Sequence, residues 1–167
     1  HYEVIPAVAA DRCAAPQGCR LCPPSCPYGA LKLEDGRALI DKARCRGCGL
    51  CLPACPLGTI GHPFFSPQAL EGALMALLVD GAQEPLIIAP ACREAMALLR
   101  QAGREGLSYP PNILPLELPC LGSIDWFPIL RALDLGAAAV ALLACGQGCP
   151  HGYDLHQLEA SLSALGD

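Results

Sequence analysis

The stretch CRGCGLCLPACP, residues 45–56, carries four cysteines with the spacing C-x2-C-x2-C-x3-C-P. A related stretch, CAAPQGCRLCPPSCP at residues 13–27, has the spacing C-x5-C-x2-C-x3-C-P. The last three cysteines of the two stretches lie 29 residues apart, pair by pair, and three extra residues near 14–16 displace only the first pair. The chain therefore contains two copies of one cysteine-rich unit.

This spacing suits [4Fe–4S] clusters, because three thiolates of one tight loop bind one cluster while the fourth, before the proline, binds the other. It predicts two ligand sets: Cys13, Cys19, Cys22 and Cys55 for the first cluster, and Cys45, Cys48, Cys51 and Cys26 for the second. Zinc is a weaker alternative, since zinc sites use cysteine pairs separated by a longer loop. A disulfide framework could also explain 12 cysteines in 167 residues, but the spacing is that of metal ligands.

Residues 11–60, with this doubled motif, resemble a bacterial-type two-cluster ferredoxin domain. The resemblance implies an α+β ferredoxin-like fold and an electron-transfer role for a domain over residues 1–62. The insertion in the first loop departs from the usual C-x2-C opening at Cys13. Between the motifs, ALKLEDGRALID predicts a β-hairpin that turns at Asp35-Gly36.

Residues 63–82 are predicted to form a helical connector. Ser66 suits the N-cap, Pro67 suits the first helical position, and leucines recur at helical spacing until Gly81. We interpret this segment as a helix that packs one face on a neighbouring domain.

Residues 83–167 alternate strands with helices, which predicts a small α/β domain with a parallel sheet. The predicted strands are PLIIAPAC, NILPLELPC and AAAVALLAC. The predicted helices cover residues 94–101, 125–136 with Asp125 as N-cap, and 154–165. Pro115 and Pro119 favour an edge position for the second strand.

Each of these strands ends in a cysteine, at Cys92, Cys120 and Cys145, and Cys149 follows one short loop later. Because ligands bind outside the carboxyl ends of parallel strands, we expect the four thiols to converge there. Four cysteines on separate loops suit a [2Fe–2S] cluster. A zinc ion, a redox disulfide between Cys145 and Cys149, and incidental core thiols remain alternatives.

The segments YPPNILPLELPC, SIDWFPILRALDLGA and ACGQGCPHG resemble the delta subunit of methyl-viologen-reducing hydrogenases, which also occurs fused to heterodisulfide-reductase-type subunits. The matching positions are Cys120, Gly136, Cys145, Gly148, Cys149 and His151. The resemblance, over about residues 85–155, implies a [2Fe–2S] cluster that relays electrons between a hydrogenase or dehydrogenase and a flavin-containing partner. The family usually has two nearby cysteines where this chain has Cys92 and Ala95. His151, a lone histidine on a loop, is expected to be solvated at the surface.

Several function classes are disfavoured. The net charge of −5 comes with scattered Lys and Arg, so nucleic acid is a poor partner. No apolar run reaches the roughly 20 residues that a membrane helix needs. No nucleophile–base pair, phosphate loop or dinucleotide fingerprint is present, so no catalytic residue is assigned and any flavin or substrate site is expected on another subunit. The start at His1 without a methionine suggests a fragment or a processed piece.

The leading hypothesis is an electron-transfer iron–sulfur module of a multi-subunit oxidoreductase, heterodisulfide-reductase-like or hydrogenase-linked. Its expected partners are a flavoprotein and a hydrogenase or dehydrogenase subunit, and its expected location is cytoplasmic. The alternatives are a soluble ferredoxin with a zinc-stabilised accessory domain, and a redox-sensing module.

Overall fold

The computed structural model describes residues 4–78, 85–154 and 156. Its N-terminal part consists of two antiparallel strand pairs and short 3-10 turns. Strand β1 (Ala7–Val8) pairs with β4 (Ile60–Gly61), and β2 (Leu31–Glu34) pairs with β3 (Arg37–Ile40). The turns span Ala10–Arg12, Ala15–Gln17 and Pro23–Ser25. Residues 4–66, all of which the structure describes, contain no α-helix. The helical component of the predicted α+β fold is thus limited there to these turns.

The predicted hairpin at Asp35-Gly36 is confirmed by the pairing of β2 with β3. Both turn residues have positive φ, 50° for Asp35 and 70° for Gly36, as a two-residue hairpin turn requires. The hairpin directs Leu31 and Ala38 into a small core with Ile60. Cysteines of both motifs pack against this core, so the hairpin supports the loops that carry them.

The C-terminal part is a three-stranded parallel sheet, as predicted. Strand β5 (Ile87–Cys92) lies between β6 (Ile113–Leu118) and β7 (Ala139–Val140). Helix α2 (Arg93–Arg104) connects β5 to β6, and α3 (Phe127–Asp134) connects β6 to β7. The second predicted strand is an edge strand, where Pro115 is tolerated.

The third strand is shorter than predicted. Only Ala139–Val140 forms a ladder with β5, followed by a single bridge between Ala91 and Leu143. Pro90 of β5 explains the interruption. The carbonyls of Ile88 and Pro90 accept backbone bonds from the third strand, but proline has no N–H with which to donate a bond to that strand. The backbone nevertheless continues alongside β5, since the N–H of Cys92 donates to the Leu143 carbonyl at 3.3 Å.

One of the two predicted N-caps is formed by its side chain. The Ser66 hydroxyl accepts a bond from the Ala69 N–H at 3.1 Å at the start of α1 (Pro67–Leu78). At the start of α3, the N-cap is Trp126 and not the predicted Asp125. Asp125 lies one residue earlier, where its carboxylate accepts a bond from the Phe127 N–H at 3.0 Å. Helix α2 runs to Arg104, three residues beyond the predicted end.

Helix α1 packs on the C-terminal sheet. Leu74 of α1 shares a core with Ile88 of β5 and Ala132 of α3. Arg131 of α3 donates to the Glu71 carboxylate of α1 at 3.0 Å through Nε. Among the described residues, none of the helices has the length and apolarity to cross a membrane. The predicted stop at Gly81 and the predicted final helix over residues 154–165 lie outside the described residues, apart from positions 154 and 156.

Candidate metal centres

The first site is a cavity of about 210 Å³ lined by the thiols of Cys13, Cys19, Cys22 and Cys55. These are the four residues that the motif spacing groups together. Cys13 reaches the site despite the insertion, because the turn Ala15–Gln17 takes up the extra residues. Burial raises the pKa of Cys22, and the charges of the three neighbouring thiols raise it further.

Hydrogen bonds distinguish two repeat-related sulfurs. The Thr59 N–H donates to Cys55 Sγ at 3.4 Å, and the Thr59 hydroxyl lies 3.1 Å from the same sulfur. At the equivalent place in the other motif, the Ala30 N–H donates to Cys26 Sγ at 3.3 Å, and alanine has no hydroxyl to add. Burial by itself would raise the pKa of Cys55, but the Thr59 side-chain and backbone bonds and other backbone N–H groups lower it overall.

The second site brings Cys26 together with Cys45, Cys48 and Cys51, the other predicted group. Burial, and then the charges of the three neighbouring thiols, raise the pKa of Cys51 to about 12. Cys48 is only 8% exposed, and burial also raises its pKa. This site is therefore more deeply enclosed than the first.

The third site is a cavity of about 490 Å³ lined by Cys92, Cys120, Cys145 and Cys149. Cys92 is the last residue of β5, and Cys120 lies two residues beyond β6. Cys145 and Cys149 flank the 3-10 turn Gly146–Gly148. The parallel topology thus brings the four thiols to one edge of the sheet.

The thiols of the third site contact one another. Burial, followed by hydrogen bonds with Cys92 and Cys149, raises the pKa of Cys145 to about 12. Burial would also raise the pKa of Cys149, but backbone N–H groups of the next loop and hydrogen bonds from Cys145 and Cys120 lower it overall. The thiol contacts therefore run from Cys92 through Cys145 and Cys149 to Cys120.

These opposite shifts predict selective alkylation of the metal-free protein. Because the thiolate is the nucleophile, we expect iodoacetamide at neutral pH to label Cys149 about tenfold or more faster than Cys145. Both cysteines are half-buried, which makes Cys145 an internal control for access. Tandem mass spectrometry of the peptide that contains both residues reads the order of labelling, and equal rates would contradict the assigned electrostatics.

The sulfurs of the first and third sites surround cavities. Within residues 4–78, 85–154 and 156, no group of three or more His, Cys, Asp or Glu side chains is placed to hold one metal ion.

The second and third sites meet at a close contact between the two halves of the chain. A Cβ on Gly49 would lie 2.7 Å from the Cβ of Ser123. A Cβ on Gly122 would lie 2.3 Å from Leu50 Cδ2 and 2.5 Å from a ring carbon of Tyr153. Only glycine fits at these two positions without displacing a neighbour, so the loop after Cys48 packs tightly on the turn after Cys120.

The contact is electrostatic as well as steric. Burial is the main reason that the pKa of Cys120 rises to about 12, and the charges of Cys149, Cys48 and Cys92 add to it. Cys48 belongs to the second site, so thiols of the two sites influence each other across the Gly49–Gly122 contact.

Tyr28 and His151 form a second link across the same boundary. The Tyr28 hydroxyl donates to the Pro150 carbonyl at 2.9 Å and lies 2.6 Å from His151 Nδ1. The phenol has one proton, so the tautomer of His151 decides which of the two groups donates in the second bond. The expectation that His151 is solvated at the surface is therefore wrong, because the loop folds back onto the residue that follows Cys26-Pro27.

Sequence reasoning missed Tyr28, Thr59 and the Gly49–Gly122 contact. The 29-residue repeat contains a signal for them, since Tyr28 replaces the leucine found at position 57 and Gly49 replaces the arginine found at position 20. Such departures mark places where the two copies of the motif have different surroundings.

Comparison with known families matches both halves of the chain. Residues 12–59 match the family model of the 4Fe-4S dicluster domain. Residues 87–163 match that of the methyl-viologen-reducing hydrogenase, delta subunit. The chain is a fusion of these two domains. No curated protein and no solved structure gave a match. The dicluster domain contains the first two cysteine sites, and the delta-subunit domain contains the third.

Proposed function

We propose that this chain is the iron–sulfur electron-transfer module of a multi-subunit oxidoreductase, hydrogenase-linked or heterodisulfide-reductase-like. One observation carries the proposal: three groups of four thiols follow one another through the molecule, and the second and third meet at Gly49 and Gly122. The family of the C-terminal domain supports the hydrogenase link. The heterodisulfide-reductase link rests on the sequence resemblance.

The proposed cofactors are two [4Fe–4S] clusters and one [2Fe–2S] cluster. Their proposed ligands are Cys13, Cys19, Cys22 and Cys55 for the first, Cys26, Cys45, Cys48 and Cys51 for the second, and Cys92, Cys120, Cys145 and Cys149 for the third. The donor sets fit, because each site offers four thiols and the family of the N-terminal domain binds 4Fe-4S clusters. When bound, such clusters supply one-electron redox chemistry.

A [2Fe–2S] cluster is favoured over zinc at the third site. A structural zinc ion needs four sulfurs at about 2.3 Å from one point. The four thiols line a cavity of about 490 Å³ and contact one another, which by itself suits either group. The preference rests on the sequence resemblance to the delta subunit, which implies a [2Fe–2S] cluster.

The residues around the sites bury the thiols and donate hydrogen bonds to them. Each site contains a sulfur that accepts a backbone N–H bond at 3.3–3.4 Å: Cys26 from Ala30, Cys55 from Thr59 and Cys92 from Ala95. Bonds to a thiolate stabilise its negative charge and therefore favour the more reduced state of the site. The hydroxyl of Thr59 gives Cys55 a contact that its counterpart Cys26 lacks.

Replacing Thr59 with Val tests this hydroxyl. Valine keeps the backbone N–H bond to Cys55 Sγ and about the same volume in a buried position, but it removes the bond at 3.1 Å. We expect the reduction potential of the first site to fall by about 20–60 mV, from the net free energy of one hydrogen bond. A potentiometric titration followed by EPR measures the shift. Ala30→Val, at the repeat-related position, is the control, and an equal shift of both sites or no shift would contradict the assigned role.

The contacts between neighbouring sites suggest the order in which electrons pass through the module, from the first site to the third or the reverse. Cysteines of the first and second sites pack on the same core beside the hairpin, and the second and third sites meet at the Gly49–Gly122 contact. We propose that a flavoprotein and a hydrogenase or dehydrogenase subunit exchange electrons with opposite ends of this series. Substrate chemistry is assigned to those partners, and the proposed location is cytoplasmic.

Metal analysis tests the proposal. After anaerobic purification, three sites predict about ten irons with matching sulfide and no zinc per chain. About eight irons with one zinc would support the alternative, a ferredoxin with a zinc-stabilised accessory domain, and would contradict the relay. Reversible loss of iron from the third site alone on mild oxidation would instead indicate a redox-sensing module.

A further inference from the structure

The 29-residue repeat gives the dicluster domain two equivalent surfaces, one beside each site. Arg20, Leu21 and Leu57 beside the first site correspond to Gly49, Leu50 and Tyr28 beside the second. A residue that is buried on one surface, while its counterpart on the other is exposed, shows that another part of the chain covers only the first of these surfaces.

The surface beside the second site is covered by the delta-subunit domain. Gly49 packs on Ser123, Leu50 packs on Gly122, and Tyr28 bonds to the Cys149–His151 loop. All three positions belong to the contact that joins this site to another redox site.

The surface beside the first site is uncovered. Leu21 is 59% exposed and Leu57 is 55% exposed, although both line the same cavity as Cys19 and Cys55. Single exposed leucines are common on proteins. Two of them at the positions that the repeat uses for an interface, both lining the cavity of a candidate redox site, indicate a docking surface. We call Arg20, Leu21 and Leu57 the outer face.

The outer face also carries a free positive charge. Arg20 is exposed, and within residues 4–78, 85–154 and 156 it forms no ion pair with a carboxylate. Its counterpart Gly49 fits flat against Ser123, whereas an arginine at this place favours a partner surface that carries anionic groups.

We propose that the outer face docks a separate electron-transfer protein that presents carboxylates around its own redox centre, as the delta-subunit domain docks on the second site. This inference rests on the proposed function and adds the place and the charge of one partner. Docking serves a single-electron exchange: the partner loses one electron and the first site gains it, or the reverse, with no bond made and no proton moved.

An acidic flavodoxin is the probe. Binding of the oxidised flavodoxin to the anaerobic, iron-loaded chain is measured by surface plasmon resonance at low ionic strength. We expect the Leu21→Glu/Leu57→Glu double variant and the Arg20→Glu variant each to weaken binding about tenfold or more, since both add negative charge to the docking surface. Leu107→Glu, at a 65% exposed position in the other domain, is the matched control and should change binding less than twofold.

Electron transfer gives a second measurement. The flavodoxin hydroquinone should reduce both outer-face variants at least tenfold more slowly than the parent, whereas it should reduce Leu107→Glu at the rate of the parent. Equal effects of Leu107→Glu and the double variant, or no binding of flavodoxin to the parent, would overturn the proposal. A concentration-dependent dimer of the parent that the double variant abolishes would assign the outer face to a second copy and would also overturn it. Iron content is measured in every variant, so that failure of the relay itself is distinguished from failure of the docking surface.

Discussion

Replacing Cys145 or Cys149 with Ser is expected to remove the EPR signal of the third site and about two irons per chain. Each of these thiols contacts two others of the same site, Cys145 with Cys92 and Cys149, and Cys149 with Cys145 and Cys120. Serine is a poor replacement for a thiolate ligand of iron, and either change leaves only three thiols around the cavity. The signals of the first two sites should persist, because their ligands lie in the other domain.

Reciprocal and neighbouring variants sharpen this result. Cys22 lines the first cavity. Replacing it with Ser should therefore perturb the first site, while the EPR signal of the third site remains. Cys92→Ser tests the residue that the sequence resemblance leaves least certain, and its contact with Cys145 predicts a loss as large as for the other two. Retention of the third signal in both Cys145→Ser and Cys149→Ser would contradict the assignment of this site.

The second large effect is expected from Gly122→Val. Its Cβ would lie 2.3 Å from Leu50 Cδ2 and 2.5 Å from a ring carbon of Tyr153, so these side chains must shift or the two domains must move apart. Overpacking of this kind costs about 1–3 kcal/mol of unfolding free energy. We also expect the magnetic interaction between the reduced second and third sites to weaken, although the iron content stays that of the parent.

Thermal unfolding under argon and EPR of the fully reduced protein measure the two effects of Gly122→Val. Gly148→Ala is the matched control, since Gly148 lies in the third site's loop but a Cβ there meets nothing within 4 Å. An undiminished magnetic interaction in Gly122→Val would show that this contact does not set the separation of the two sites.

The grouping of the cysteines could be predicted because it is local. Three proposed ligands of each dicluster site come from one short loop. The dipeptide Asp35-Gly36 predicts the turn of the hairpin between the motifs. The third group was also foreseeable, because parallel strands bring their carboxyl ends to one edge. Each strand is followed by a cysteine. Because the strands run in the same direction, this local pattern predicts that cysteines distant in the sequence lie close together.

The remaining features depend on contacts that no local pattern specifies. The early end of β7 follows from the missing N–H of Pro90 on the neighbouring strand, which becomes relevant only once the strand order is known. The fit of Gly122 against Leu50 and the bond between Tyr28 and His151 depend on how the two domains pack. Comparison of the two motif copies position by position would have pointed to Tyr28 and Gly49, because they differ from their counterparts in size and polarity.

An anaerobic redox titration of the parent chain, followed by EPR, tests the central claim most directly. Three sites in series predict the reversible uptake of about three electrons per chain, with a [2Fe–2S] signal that broadens when the second site is also reduced. Uptake of only about two electrons, with a third site that never changes its redox state, would contradict the account.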